Sequence, residues 1–431
     1  MTDRRRVVVT GLGIATCLGL DVEETWRKAL AGVSGIGRLD SPDTEHAQIR
    51  AAGAISEEDW SKVQAEFSEE MRDEGEKKTL IALWAAKRAL EDAGILDGSG
   101  RRDRYGVALA SGIGVNRLED LRTWIGKDRA FDYESFGRQL ARVHRESIMK
   151  NPSDRPSALV AHTFNFRGIN ATLTAACASA TQAIGTGFRA IRRGEADIMA
   201  VGGSDTMFSP VGLIFFVLLN AASTSRADPQ TVCRPFDIKR SGLVMAEGAA
   251  VAVLEDHSRA AARGAKAYCE VVGYGSSLDA YQLTRPHPEG RGAVQSMRAA
   301  LDDANLDIDA IDYINAHGTG TKLNDVIETV GIKQLFGARA HDIPVSSSKS
   351  MIGHTLAASG APEFVLTVLT VARDEIHPTI NLTHPDPECD LDYVPGVKRG
   401  RVVNAAISNS FGFGGQNASV VVRKYPGGRQ Q

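Results

Sequence analysis

The stretch "TLTAACASATQAIGTGFRAI" at residues 172–191 carries a lone thiol, Cys177, between a strand-like run of small residues and an amphipathic helix. A sulfur in the first turn of a helix would sit beside unpaired backbone N–H groups and the positive end of the helix dipole, which favours the thiolate and makes a nucleophile. Most free cysteines are only small buried hydrophobes, so other segments must decide. "NAHGTGT" at 315–321 places His317 at a strand end, with Gly318 and Gly320 allowing close backbone approach and Thr319 and Thr321 supplying hydroxyls. "VSSSKSMIGHTLAASG" at 345–360 offers Lys349 and, five residues later, His354 at the start of another helix. A fourth loop, "SNSFGFGGQNAS" at 408–419, is glycine-rich but lacks the G-x-x-x-x-G-K spacing of a phosphate cradle. Its backbone N–H groups suit a developing oxyanion, with Phe411 and Phe413 as an apolar wall. Two such histidines in matching loops, beside a cysteine at a helix start, point to chemistry rather than to structural hydrogen bonding.

These loops hang on elements that occur twice. Helix "AAKRALEDAGIL" (85–96) precedes strand "RYGVALASGIG" (104–114), as helix "SMRAALDDANLD" (296–307) precedes "IDYINAHGTGT" (311–321). The cysteine unit at 169–203 parallels the histidine unit at 342–376, and the two halves close on "AAVAVLED" (249–256) and "NASVVVRK" (417–424). Strands alternating with helices predict mainly parallel sheets, and strands apolar on both faces predict a five-layer α/β/α/β/α stack with a shared central helix layer. The halves are expected at 1–260 and 261–431. The charged segments 38–78 and 117–157 break the pattern and should cap one end.

Composition narrows the classes. A chain of 431 residues with 43% hydrophobic content builds a full core without staples. Cys17, Cys177, Cys233, Cys269 and Cys389 show no metal-ligand spacing, so no metal is expected, and a reducing cytoplasm is the expected location. The N-terminus lacks the apolar core of a signal peptide. The longest apolar run, "VGLIFFVLLNAA" (211–222), is too short to span a bilayer and reads as core or subunit interface. A net charge of −3 without a basic stripe argues against nucleic acid, although Lys77 and Lys78 could meet an acidic protein.

"TAACASA" around Cys177, "NAHGTGT", "SSSKSMIGH" and "SNSFGFGGQNAS", with "CRPFDIKRSGLVMAEGAAVAVLED" and "DAYQLT", resemble the signatures of elongating, Cys-His-His β-ketoacyl-acyl-carrier-protein synthases over nearly the whole chain. The resemblance implies the thiolase fold and decarboxylative condensation of an acyl thioester, held on Cys177, with malonyl-carrier protein in fatty acid biosynthesis. No bound cofactor is implied, because substrates ride on the phosphopantetheine arm of acyl carrier protein. It further implies that the N–H groups of Cys177 and Phe413 form an oxyanion hole and that His317 and His354 stabilise an enolate. Lys349 would pair with Glu363 and orient the loop of His354 without touching substrate, and Asp325 and Glu328 would organise the same region. Thr319, Thr321 and Thr284 would meet the pantetheine arm, Phe413 would gate, and Phe411 and Ile113 would line the acyl path.

The segment before the nucleophile strand is longer and more charged than in fatty-acid enzymes, and Arg285 stands where a small hydroxyl residue is common. These departures leave chain length open, as well as the choice between a homodimer and a heterodimer with a related subunit. The alternative is a catalytic ketosynthase of a type II polyketide or polyene synthase. A non-catalytic chain-length factor is disfavoured by Cys177, and a thiol hydrolase by the second histidine.

Overall fold

Ten strands, most of them runs of Val, Ile and Ala bounded by glycine or acidic residues, hydrogen-bond side by side in the computed structural model, which describes residues 5–39, 48–72, 76–96, 102–114, 122–142 and 152–428. In chain order they are β1 (Val7–Ala15), β2 (Tyr105–Ser111), β3 (Asn170–Leu173), β4 (Ile198–Asp205), β5 (Gly248–Asp256), β6 (Cys269–Leu278), β7 (Tyr313–Asn315), β8 (Val345–Ser346), β9 (Ala405–Gly412) and β10 (Gln416–Lys424). Their spatial order is β8-β7-β9-β10-β6-β1-β5-β4-β2-β3. Read outward from the centre, one unit runs 1-5-4-2-3 and the other 6-10-9-7-8, the same order displaced by five. The pairing senses also match. β1/β5 and β5/β4 are antiparallel while β4/β2 and β2/β3 are parallel, and the second unit repeats this in β6/β10, β10/β9, β9/β7 and β7/β8.

The duplication is therefore written in topology, with two differences from expectation. The units are mixed rather than mainly parallel, because the last strand of each returns antiparallel beside the first. They also share one continuous ladder, joined where Val7–Val9 of β1 pair with Cys269–Val271 of β6.

The principal helices are α1 (Lys77–Asp92), α2 (Arg155–Thr163), α3 (Ser179–Arg192), α4 (Pro210–Leu218), α5 (Arg291–Ala304), α6 (Lys322–Phe336), α7 (Lys349–Ile352) and α8 (Gly360–Arg373). On one outer face α1 and α2 pack through Leu80, Ile81, Trp84 and Val160 onto Val107, Val251 and neighbouring strand residues. On the other, α5 and α6 bury Met297, Leu301 and Ile332 against Ile314, Ile407 and Val421. Between the units lie α3 and α8, whose Ile184, Phe188, Phe364, Val365 and Leu369 share one core with Val201, Leu254, Val271 and Val420. This central layer explains why α8 is apolar on all sides. Residues Leu356–Arg373 are long and apolar enough to cross a membrane, but 94% of that stretch is buried inside the protein.

Other expectations meet a plain outcome. Lys78 is buried and Lys77 is paired with Glu247, so the two form no basic surface patch. The apolar run at 211–222 forms α4, which buries Leu213 and Phe216 but exposes Ile214, Phe215 and Leu218. Parts of the 38–78 and 117–157 segments, including 40–47, 115–121 and 143–151, lie outside the described residues.

The N-terminal ends of α3 and α8 meet at Gly360, where an added Cβ would lie 2.1 Å from Thr181 Oγ1. Gly360→Ala is expected to destabilise the fold by about 1–3 kcal/mol through overpacking, read as a lower urea midpoint at unchanged m-value.

Candidate active site

The chemistry-bearing loops all leave the carboxyl ends of parallel strands, where an α/β sheet gathers its ligands. Cys177 lies between β3 and α3, two residues before the helix begins. Ala176 before it has φ +47°, a left-handed conformation strained for a residue with a Cβ. The sulfur is within reach of the Phe413 and Cys177 N–H groups, and Lys349 and Phe413 both favour its anion. Burial dominates, however, and pushes the thiol up to about 11. Burial thus works against the expected resting thiolate: the cost of desolvating a charge outweighs the backbone N–H groups and the Lys349 cation.

His317 follows β7, and its loop is held by carboxylates of α6. Glu328 accepts the N–H groups of His317 and Gly318, both at 2.8 Å, and Asp325 Oδ1 accepts those of Thr319 and Gly320 at 3.1 and 3.2 Å. Lys349, at the start of α7, pairs with Glu363 of α8. Its Nζ also donates to the His317 carbonyl at 2.6 Å and lies 3.3 Å from His317 Nδ1. A lysine nitrogen held this way is a donor, so Nδ1 accepts and the ring proton sits on Nε2. The lysine pair sits on the loop of His354, as expected of it, and grips His317 as well. Burial pushes the Glu363 and Glu328 carboxyls up to about 7, with Lys349 opposing in both.

His354 is anchored by its own N–H on the Val244 carbonyl at 2.7 Å. Its Nδ1 accepts the Leu356 N–H at 3.1 Å, so its proton too is on Nε2, which is buried with no partner among the described residues. Burial first, then Lys349, pushes both rings well below the usual histidine range and keeps them neutral. The two rings stand edge to face at 5.3 Å between centroids, and the Cys177 sulfur and a nitrogen of each ring lie within 4.8 Å of one another. Three such atoms have the spacing of a metal site. The hydrogen bonds count against that use, because a nitrogen carrying a proton has no lone pair to give; the pair is a set of two N–H donors facing a thiol.

Around this cluster Phe411 stands 6.1 Å from the His317 ring, and Phe413 packs against an apolar cluster whose members include Leu356, Met207 and Leu213 and Phe216 of α4. Gly414 N–H donates to the Leu283 carbonyl at 2.7 Å, tying the phenylalanine turn to the segment that bears Thr284. Thr319 and Thr321 share a hydroxyl contact at 2.9 Å. Thr284 and Ile113 are exposed, Ile113 by 52%, so this chain alone does not bring them into the cluster. The motifs also passed over His377, buried among Tyr313, Asn315 and Ser346 beneath the β7 and β8 loops. Its adjoining Pro378 gave no chemical signal in sequence.

Profiles of the beta-ketoacyl synthase N-terminal domain and the beta-ketoacyl synthase C-terminal domain match residues 4–260 and 268–383. The chain belongs to the β-ketoacyl synthase family. The synthase is similar to the 3-oxoacyl-[acyl-carrier-protein] synthase 2 of Synechocystis sp., 39% identical over 98% of this chain and 99% of that one. The Staphylococcus aureus protein of the same name is 37% identical over 99% and 100%. Among solved structures, a β-ketoacyl synthase from Burkholderia phymatum is 34% identical with a TM-score of 0.84, over 98% of this chain and 100% of that one. The ketosynthase complex of a type II polyketide synthase with its acyl-carrier protein, bound to the hexaketide, matches at 31% identity and a TM-score of 0.89 with the same coverage. These relatives share the thiolase fold.

Because burial holds the resting thiol near 11, iodoacetamide alkylation of Cys177 in the synthase is expected to be slow at pH 7 and to keep rising beyond pH 9. Rates of adduct formation followed by peptide mass across pH check this. A plateau below pH 8 would show a thiolate instead.

Proposed function

We propose that the chain is an elongating condensing enzyme, an acyltransferase of the 3-oxoacyl-[acyl-carrier-protein] synthase type. The observation that carries this reading is the pair of neutral Nε2–H donors converging on one buried thiol. Cys177 attacks the thioester of an acyl group on the phosphopantetheine of acyl carrier protein. The Cys177 and Phe413 N–H groups receive the oxyanion, and the proton from the sulfur ends on the departing pantetheine thiol. A malonyl thioester then loses carbon dioxide, and the C–C electrons become an enolate whose oxygen takes hydrogen bonds from His317 and His354. Neutral donors stabilise that charge without protonating the carbanion, which attacks the acyl carbonyl, forms the new C–C bond and expels the Cys177 sulfur. The burial of all three groups strengthens each of these contacts and disfavours hydrolysis.

Acyl carrier protein as partner is supported by the type II complex among the structural relatives. A second copy or a related subunit would cover two features: the exposed apolar side of α4, and the open edge of β3 at the end of the sheet. It would also give Ile113 the surface this chain lacks. All five cysteines are free, which suits the cytoplasm. The fatty-acid reading follows the higher identity to the 3-oxoacyl synthases. The polyketide reading is kept alive by the type II structural relative and by the unusually apolar α4.

Incubation with acyl- and malonyl-carrier proteins of both pathways, followed by product mass analysis, decides between them; no condensed product from any pair would overturn the activity. Cys177→Ala is expected to abolish the acyl adduct altogether. His354→Ala should leave adduct formation within about threefold while malonyl decarboxylation falls by 100-fold or more, the loss typical of one removed oxyanion donor. Equal losses in both steps would contradict this division of roles.

A further inference from the structure

β4 ends at Asp205, a carboxylate that none of the roles above employs although it is 2% exposed. Both of its oxygens are engaged. Oδ1 accepts the Thr206 N–H at 2.9 Å, and Oδ2 crosses to the other half of the chain to accept the Ala357 N–H at 3.0 Å. Ala357 belongs to the single turn Leu356–Ala358 just beyond His354. Leu356, in the same turn, holds φ +52°, which a leucine keeps only when its surroundings enforce it, and its N–H is the donor to His354 Nδ1. Gly112 backs the carboxylate so closely that an added Cβ would lie 2.6 Å from both oxygens. Burial pushes Asp205 up to about 6, against the Ala357 and Thr206 N–H groups and nearby Lys78, so a group costly to bury has been kept at this point.

We propose that Asp205 is a positioning residue for His354: by holding the Ala357 N–H it fixes the left-handed turn at Leu356, whose amide occupies Nδ1 and so keeps the ring proton on Nε2, facing the Cys177 thiol. This rests on the reading of His354 as a donor to the enolate. It also explains why the two histidines differ in support. His317 owes its tautomer to Lys349 from its own half, whereas His354 owes its tautomer to an acid contributed by the opposite half.

The test compares Asp205→Ala and the isosteric Asp205→Asn with the parent in three measurements: thermal melting, acylation of Cys177 by intact mass, and decarboxylation of malonyl-carrier protein. For variants that melt within a few degrees of the parent, acylation should stay within about threefold while decarboxylation falls tenfold or more, the scale expected when a catalytic group is misplaced by a fraction of an ångström to an ångström. Asp205→Asn, which keeps one carbonyl acceptor, should fall between parent and Asp205→Ala. Unchanged decarboxylation, or proportional loss in both steps, overturns the proposal. A second readout is independent of activity. In protein labelled with 15N-histidine, and assigned with His354→Ala, the parent ring should show an unprotonated Nδ1 and a protonated Nε2, and Asp205→Asn should shift both signals toward a tautomer mixture. An unshifted His354 signal overturns the role of Asp205. A parent that shows the tautomer but condenses no substrate would instead overturn the functional reading.

Discussion

An ammonium group buried at the centre of a protein must be matched, and Lys349 is matched by Glu363 on α8 and by the carbonyl and Nδ1 of His317. Removing either partner of such a buried pair leaves an uncompensated charge, at a cost of about 3–5 kcal/mol. The pair therefore fixes where β8, α7 and α8 sit relative to the β7 loop. Its field also does chemical work at a distance, since it disfavours a second positive charge on either imidazole and lends some stability to an anionic sulfur. Burial keeps the rings neutral and the sulfur protonated, and the cation sealed beside them reinforces the first while opposing the second.

The site exists only where the two repeats meet. The thiol and its strained Ala176 belong to the first unit. Both histidines, the lysine and the phenylalanine turn belong to the second, and α3 and α8 press the two together through Gly360. Glu328 and Asp325 on α6 then hold four consecutive N–H groups of the His317 loop, from His317 to Gly320, in place of water. Each carboxylate is expensive to bury and is accepted because those N–H groups would otherwise go unsatisfied.

Much of this was legible in the residues. Cys177, His317, His354 and the 408–419 turn announced themselves as unusual groups at strand ends, and the repeat showed through matching helix-strand patterns. What escaped were properties that exist only after folding. Dipole reasoning about Cys177 could not weigh a desolvation that depends on everything packed around it. Lys349 was assigned to its own loop and to Glu363, and its further contact with His317, 32 positions away, exists only in the fold. Lys78, read as part of a surface patch, faces inward because α1 presents a helical face that a charge label does not reveal. Strand polarity was misjudged because apolar strands look alike in parallel and antiparallel neighbours. Asp205 was passed over as an ordinary strand-end acid, though a lone carboxylate closing a strand otherwise free of charge was a usable clue.

The matched strand orders carry a consequence for how the two halves have drifted apart. Counting two residues past β7 reaches His317; counting two past β2, its counterpart, reaches Ile113. Likewise β8 leads into Lys349 where β3 leads into Cys177, and the final positions of β9 and β4 are Gly412 and Asp205. Twin scaffolds offer each reactive address twice, and here no address is filled with the same chemistry on both copies. Redundancy of architecture has become a partition of labour: one copy keeps the sulfur and an acid brace, while the other keeps the proton donors.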